Sequence, residues 1–588
     1  MIKSAIIHNP DREYCYCAGS GNFIIKLRAA HGDLSECILN YRDKYISTRI
    51  PGIDKEISMQ KVASNDIYDY YETAVKFDGI CMRYYFILKD CDGNTVYLGN
   101  QSFFDEPIDD IYYMFDLPRI SREEEEFVVP EWAPGGVVYQ IFPERFSPDA
   151  EPSPNDKHWY QSPMKHGQRL GGTIKGITSH LPHLADLGVD VLYMTPIFLS
   201  PSDHKYNTKD YLKIDPDFGT EADLVELTDT AHALGIRVML DGVFNHCDPD
   251  FFAFRDVLEN QENSKYCDWF YIKSFPVKWK MPKKFTGNFK LPDYETFSYF
   301  GGMPKLNCAN SEVRDYISRV ISYWMTTAKI DGWRLDVADE IGHDFWRFFR
   351  SEVKKINPNA LITGEIWAHT STYLQGDEWD TFMNYRFYNA VRDCVAFGKY
   401  PVSHLANELS AIRGSSNRRS WTVLWNLIGS HDTPRFLHLA GESIDRLKIA
   451  SLIQLTMTGM PMIYYGDEYG MTGAMDPDCR RGMVWEDSRQ NREIYAHYRR
   501  LIALRKNSPA LKCGELKFTV TDDARGILVY EKNCGSEKYC IAINLGNADC
   551  RPDYPEADKL IGLDDLMHDR KFDGVLHPLD FAVIKVNS

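Results

Sequence analysis

The sequence predicts a multidomain α/β protein: a (β/α)8 TIM barrel with an inserted subdomain after its third strand, flanked by N-terminal and C-terminal all-β domains. Three observations predict it. Between residues 126 and 504, short apolar runs ending in polar residues alternate with helical patterns. Strand-like alternation fills the stretch before this region and returns after it. One connection, residues 247–308, is far longer than a barrel loop requires. At 588 residues the chain also exceeds one ordinary domain, and about two to four are expected.

Residues 1–125 contain NFIIKLRAA, MRYYFILKD and NTVYLGN, separated by Gly, Asn and Asp, and read as a β-sandwich. The acidic run SREEEEF (121–127), followed by Pro130 and Pro134, reads as a solvated linker. Residues 126–504 supply eight candidate barrel strands: GVVYQIFPERF, VDVLYMTPIF, IRVMLDGVFNH, IDGWRLDVADE, ALITGEIW, DTFMNYRF, VLWNLIGSHD and GMPMIYYGDE. Helices fall between them. In SEVRDYISRVISYW, Val313, Ile317, Val320, Ile321 and Trp324 recur at the spacing of one helix face. The connection 247–308, rich in Tyr, Phe and Pro, reads as a subdomain on the rim where barrel active sites lie. In 505–588, GELKFTV, GILVYEK, KYCIAIN and FAVIKV predict a C-terminal β-sandwich.

Composition narrows the partners. Lys and Arg number 67 against 84 Asp and Glu, giving a net charge of −17. Such a surface repels phosphate backbones and anionic lipid, which argues against nucleic acid and membrane partners. No apolar stretch approaches the roughly 18–20 residues of a membrane span, and the N-terminus has no signal-peptide core. The 14 cysteines lack zinc-type spacing and read as reduced core thiols, which points to the cytoplasm.

The polar residues fall at predicted strand ends. Asp241, Asn245 and His246 follow the third strand, Arg334 and Asp336 the fourth, Glu365 the fifth, and His431 with Asp432 the seventh. Buried carboxylates are costly unless paired or used, so their convergence points to a catalytic pocket. An arginine among them argues against a cation there. Retaining glycoside hydrolysis needs two carboxyl groups about 5–5.5 Å apart, one nucleophile and one acid/base. Asp336 beside Arg334 suits the ionised nucleophile, and Glu365 in the apolar GEIW suits the acid. Asp432 can hold sugar hydroxyls and stabilise an oxocarbenium-like transition state, with His246 and His431 as further donors.

These residues resemble the signatures of the α-amylase superfamily, glycoside hydrolase family 13: DGVFNH (241–246), GWRLDVADE (332–340), GEIW (364–367) and SHD (430–432). The resemblance implies Asp336 as nucleophile, Glu365 as acid/base and Asp432 as transition-state stabiliser. It places Asp241, Arg334, His246 and His431 around the −1 subsite, with Tyr206 stacking on that sugar. MPKLN (303–307), YQIFPERF (139–146) and DPDCR (476–480) are similar to the neopullulanase, cyclomaltodextrinase and maltogenic amylase subgroup. That match adds Asp476 and Arg480 on the non-reducing side, and Trp367 and Tyr385 along the cleft. It also implies a homodimer through the N-terminal, starch-binding-module-like domain, which narrows the cleft toward small or cyclic α-glucans. No organic cofactor is implied.

There are departures from the subgroup pattern. Asp339 stands where Asn is usual, Ala368 precedes His369 where histidine is expected first, and Thr173 replaces an aspartate that helps hold a structural calcium. A hydroxyl brings no charge, so a weak or absent calcium site is expected against the DAEPSPND loop (149–156). Two rivals remain: an α-glucosidase or glucan-rearranging transferase of the same superfamily, and a non-catalytic glycan-binding relative.

Overall fold

Eight parallel strands close into a ring in chain order: β1 (Val138–Ile141), β2 (Val191–Met194), β3 (Arg237–Gly242), β4 (Gly332–Leu335), β5 (Leu361–Gly364), β6 (Thr381–Asn384), β7 (Trp425–Leu427) and β8 (Met460–Tyr464). This computed structural model describes all residues except 19–20, 46–53, 80, 101, 119–127, 154, 280–291, 369–371, 555–556 and 587–588. The acidic linker 121–127 and His369 therefore lie outside the described residues. Each barrel strand falls within the run that predicts it. Val138, Tyr193, Met239, Leu361, Met383, Trp425 and Met460 form a packed cluster in the barrel interior. Their neighbours along the strands, including Tyr139, Leu192, Leu240, Trp333 and Ile362, join the core shared with the surrounding helices. The helix Ser311–Thr327 buries Val313, Ile317, Val320, Ile321 and Trp324, the face its spacing predicts, and Asn310 caps it.

The ring closes between β8 and β1, with Val138 opposite Met462 and Tyr139 opposite Ile463. Below this seam lies Arg505, in the helix Arg492–Lys506 that follows the barrel. Its guanidinium is fully buried and donates to the carbonyls of Gly135 (3.0 Å), Leu455 (2.9 Å), Met457 (2.8 Å), Leu511 (2.9 Å) and Gly459. Gly135 leads toward β1 and Gly459 into β8, so one side chain joins the two ends of the ring.

The N-terminal region is a sandwich of antiparallel sheets, packed over a shared core that includes Phe23, Ile25, Leu39, Tyr84 and Phe86. At the C-terminus the expected sandwich takes another form. Among the described residues, the strands from Glu515–Asp522 to Asp580–Val586 form one six-stranded antiparallel sheet. One face, with Leu528, Tyr530 and Ile541, joins the barrel core, and the other is covered by Tyr554, Leu560, Phe572 and Leu576. Alternation with both faces apolar identifies buried strands but does not say whether the second layer is a sheet.

The subdomain after β3 begins with the helix Phe252–Asn260. It is drawn back to the barrel mouth by bridges between His246 and Lys305 and between Phe270 and Leu306. Among the described residues, no helix is long and apolar enough to cross a membrane.

Candidate active site

Arg334 organises the barrel mouth. On β4, Trp333 and Leu335 pack into the outer core, so the strand alternation turns Arg334 inward. Its Nη1 donates to both carboxylate oxygens of Asp241, at 3.0 Å each, and to Asp336 Oδ1 at 2.9 Å. Its Nη2 lies 2.9 Å from Glu365 Oε2. One buried guanidinium thus serves three carboxylates from the ends of three neighbouring strands.

This arrangement corrects the assignment of Arg334 to Asp336 alone and of Glu365 to apolar surroundings. The sequence places Glu365 among apolar neighbours in GEIW, but the side chain reaches across the barrel mouth to the adjacent strand. Burial pushes the Asp336 carboxyl well above the usual range, and the charges of Glu365 and Asp241 reinforce burial against Arg334. Burial likewise raises Asp241 to about 6. For Asp336 and Asp241 the shared cation does not offset desolvation.

Glu365 has two more donors. The Val337 backbone N–H reaches Oε2 at 3.0 Å, and Trp367 Nε1 reaches Oε1 at 3.2 Å. Val337 is a β-branched residue in the left-handed region, at φ +45° and ψ +47°. This conformation is disfavoured for its side chain, and it marks strain at the residue that follows Asp336. Trp367, half-exposed, stacks on buried Tyr385 with ring centroids 4.0 Å apart and planes 9° apart. Together they form a flat aromatic wall beside Glu365.

The opposite side is built around Tyr206 and His431, whose rings lie parallel 5.5 Å apart. The Tyr206 hydroxyl donates to Asp241 Oδ2 (3.0 Å) and lies 2.7 Å from His431 Nε2. Gln140 Nε2 lies 2.8 Å from His431 Nδ1. Burial, helped by Arg480 and Arg334, holds His431 well below its ordinary value, so it is a neutral hydrogen-bonding group. His431 Nε2 also lies 3.1 Å from Asp432 Oδ2, while Arg480 Nη2 donates to Asp432 Oδ1 at 3.1 Å. Arg480 Nη1 is 3.0 Å from Asp476, so the pair drawn from DPDCR reaches the mouth through Asp432. His246 is buried and stacked on Phe297 of the inserted subdomain at 4.9 Å. Burial lowers its pKa to about 3, and its Nε2 has no partner among the described residues. A neutral, unsatisfied ring nitrogen suits a sugar hydroxyl.

The twelve residues given catalytic or sugar-binding roles from the sequence lie in this mouth or join it through a direct contact, whereas Asn245 pairs with Lys305 (2.7 Å) and Glu340 (3.1 Å). Asp339, by contrast, is exposed on the turn after β4. The sequence reading missed Tyr193, whose hydroxyl reaches Asp241 Oδ2 at 2.6 Å, as well as Gln140 and the Val337 N–H. Tyr193 and Gln140 belong to strand runs already recognised. Their polar ends on otherwise apolar strands were the available signal.

At the position where the resemblance expects an aspartate for calcium, the Thr173 hydroxyl is engaged within the protein. Thr173 Oγ1 donates to Asp149 Oδ1 at 2.5 Å and accepts the Gly176 N–H at 2.9 Å, capping the helix Ile174–Ser179. Among the described residues, no group of three or more His, Cys, Asp or Glu converges as a metal site.

A parallel barrel whose strand ends gather carboxylates, neutral histidines and an aromatic wall defines the class of glycoside hydrolases. The family description "Alpha amylase, catalytic domain" matches residues 140–482, and "Alpha amylase, N-terminal ig-like domain" matches residues 1–121. The chain belongs to the α-amylase family and is a glycoside hydrolase. It is 40% identical to a cyclomaltodextrinase of Geobacillus thermopakistaniensis over 93% of this chain and 92% of that protein. It is also 40% identical to neopullulanase 2 of Thermoactinomyces vulgaris, over 92% and 91%. A solved cyclomaltodextrinase structure superposes with a TM-score of 0.87 at 34% identity, covering 94% of this chain and 92% of that one.

Proposed function

We propose that the protein hydrolyses α-1,4 glucosidic bonds of cyclodextrins, maltooligosaccharides and pullulan with retention, releasing mainly maltose or panose. The observation that carries this reading is the shared guanidinium, which sets Asp336 and Glu365 side by side on one fork. That arrangement suits a double displacement. Asp336 attacks the anomeric carbon as the glycosidic bond breaks, and Glu365 gives its proton to the leaving oxygen. Glu365 then takes a proton from water, which attacks the same carbon and frees Asp336. A second sugar in place of water gives transglycosylation. Asp432, held by Arg480, stabilises the oxocarbenium-like transition state through the sugar hydroxyls. The names borne by the relatives support the choice of substrates.

The same reading takes the enzyme as cytoplasmic, supported by 14 cysteines whose spacing matches neither a zinc site nor a secreted disulfide framework. It takes the enzyme as a homodimer through its N-terminal domain, independent of any organic cofactor and of calcium. Initial rates on β-cyclodextrin, soluble starch and pullulan at equal mass, with product chromatography, test the proposal. Faster turnover of cyclodextrin than of starch, with maltose as main product from it, is expected. Faster turnover of starch replaces this reading with an open-cleft α-amylase, and glucose release or chain lengthening replaces it with a glucosidase or transferase. Light scattering that gives a monomer mass at micromolar concentration rejects the dimer. Activity lost in EDTA and restored by calcium rejects the metal-independent reading.

A further inference from the structure

Tyr193 lies on β2 with its side chain in the barrel interior, fully buried beneath the mouth and 5.6 Å from the Trp425 ring across the barrel. Its side chain has no exposed surface there. Its hydroxyl nevertheless makes the shortest contact to the Asp241 carboxylate, 2.6 Å to Oδ2, and the Arg334 guanidinium lies 5.9 Å from its ring centre. Among the described residues, Asp241 otherwise receives the Tyr206 hydroxyl and Arg334. Arg334 is the cation that also holds Asp336 and Glu365.

We propose that Tyr193 is a positioning residue for glycosidic bond cleavage: its hydroxyl holds the charge of Asp241, which fixes how Arg334 divides itself between Asp336 and Glu365. The proposal rests on the hydrolase reading of the mouth. The groups that bear on Asp241 come from every wall around it. They are Tyr193 on β2, Tyr206 after β2, Arg334 and Asp336 on and after β4, Glu365 after β5, and His431 with Asp432 after β7. Three of these are carboxylates and only Arg334 is a buried cation in direct contact, so a neutral donor of good geometry weighs heavily. Without the hydroxyl, Asp241 takes up a proton at higher pH, because burial already raises it to about 6 and Tyr193 opposes that rise. A protonated Asp241 releases Arg334 toward the other two carboxylates and disturbs the geometry on which attack depends.

The test is the pH profile of kcat/KM for Tyr193→Phe on β-cyclodextrin, with kcat, KM and Tm measured alongside. The parent is assayed first, so that an inactive parent rejects the functional reading and not this proposal. The acid limb is expected to move up by roughly half to one pH unit. At neutral pH, kcat is expected to fall about tenfold with KM changed less than twofold. A limb that superposes on the parent overturns the proposal, whether or not Tm falls, because the role is then packing alone. Should the phenylalanine variant fail to fold, 3-fluorotyrosine at 193 keeps the ring and supplies a more acidic hydroxyl. It is expected to move the acid limb down, and an unmoved limb likewise overturns the proposal.

Discussion

Lys26, on the N-terminal sheet, donates its ammonium to the carbonyl of Gly414 at 2.9 Å, at the end of the barrel helix Val402–Ser415. The same nitrogen reaches Ser416 O at 3.0 Å, and the lysine is buried. Gly414 permits this approach, because a Cβ there would lie 2.5 Å from the Tyr70 ring of the N-terminal domain. The two domains are thus joined by a charge at a helix C-terminus, where the orphan carbonyls and the macrodipole both favour a cation.

Replacing Lys26 by Met is expected to loosen this junction by about 2 kcal/mol, the scale of a lost charged hydrogen bond with its acceptors left buried. Gly414→Leu should do the same through a clash with Tyr70. Limited proteolysis checks both: the N-terminal domain should be released faster than in the parent. The preference for cyclodextrin over starch should shrink with it if that domain narrows the cleft.

Asp336→Asn is expected to lower kcat on the order of 10^4-fold, as for the loss of one member of a catalytic unit. The same change should raise Tm at pH 7 by roughly 2 °C, because it removes one carboxylate from a crowded cation. Asp336 has a raised folded pKa, so its penalty is present above the unfolded value and fades as the pH falls toward about 4. Melting curves of both proteins between pH 4 and 8 should therefore converge on the acid side.

Lys532 is wholly buried at the contact between barrel and C-terminal sheet, donating to Gly514 O at 2.6 Å and to the Thr458 hydroxyl. Burial lowers its pKa to about 7. The unfolded chain then binds more protons between that value and about 10.4, so this group makes stability rise with pH across the window. Lys532→Met should flatten the slope of Tm between pH 7 and 9 and raise Tm at pH 7. An unchanged slope would show that the ammonium does not titrate there.

Thiol titration under native conditions should find two fast groups, Cys91 and Cys534, which are the exposed cysteines. Cys267 and Cys513, of intermediate exposure, should follow slowly, and the ten buried thiols should react only after denaturation. Fewer than 14 thiols in the denatured protein would reveal a disulfide and speak against a reducing compartment.

The barrel was legible because each strand run ends in polar residues that a closed core has no other use for. Asp336, Glu365 and Asp432 stood out for the same reason. The sharing of Arg334 was not legible, since hydrogen bonding between neighbouring strands depends on register and reach. Tyr193 was hidden differently. Its ring satisfies the apolar pattern of β2, while the hydroxyl partner lies 48 positions further along the chain. The C-terminal strands were correctly placed, but periodicity carries no count of sheets.

Arg505 has a consequence for the order of events during synthesis. The seam between β8 and β1 is latched by a side chain that leaves the ribosome only after all eight strands, and whose carbonyl partners flank both ends of the ring. A nascent chain cut just after β8 holds every strand and the three acids Asp336, Glu365 and Asp432, yet lacks both the clasp and Arg480, which holds Asp432. The ring is therefore clasped from outside itself, by a helix that follows the last of its strands.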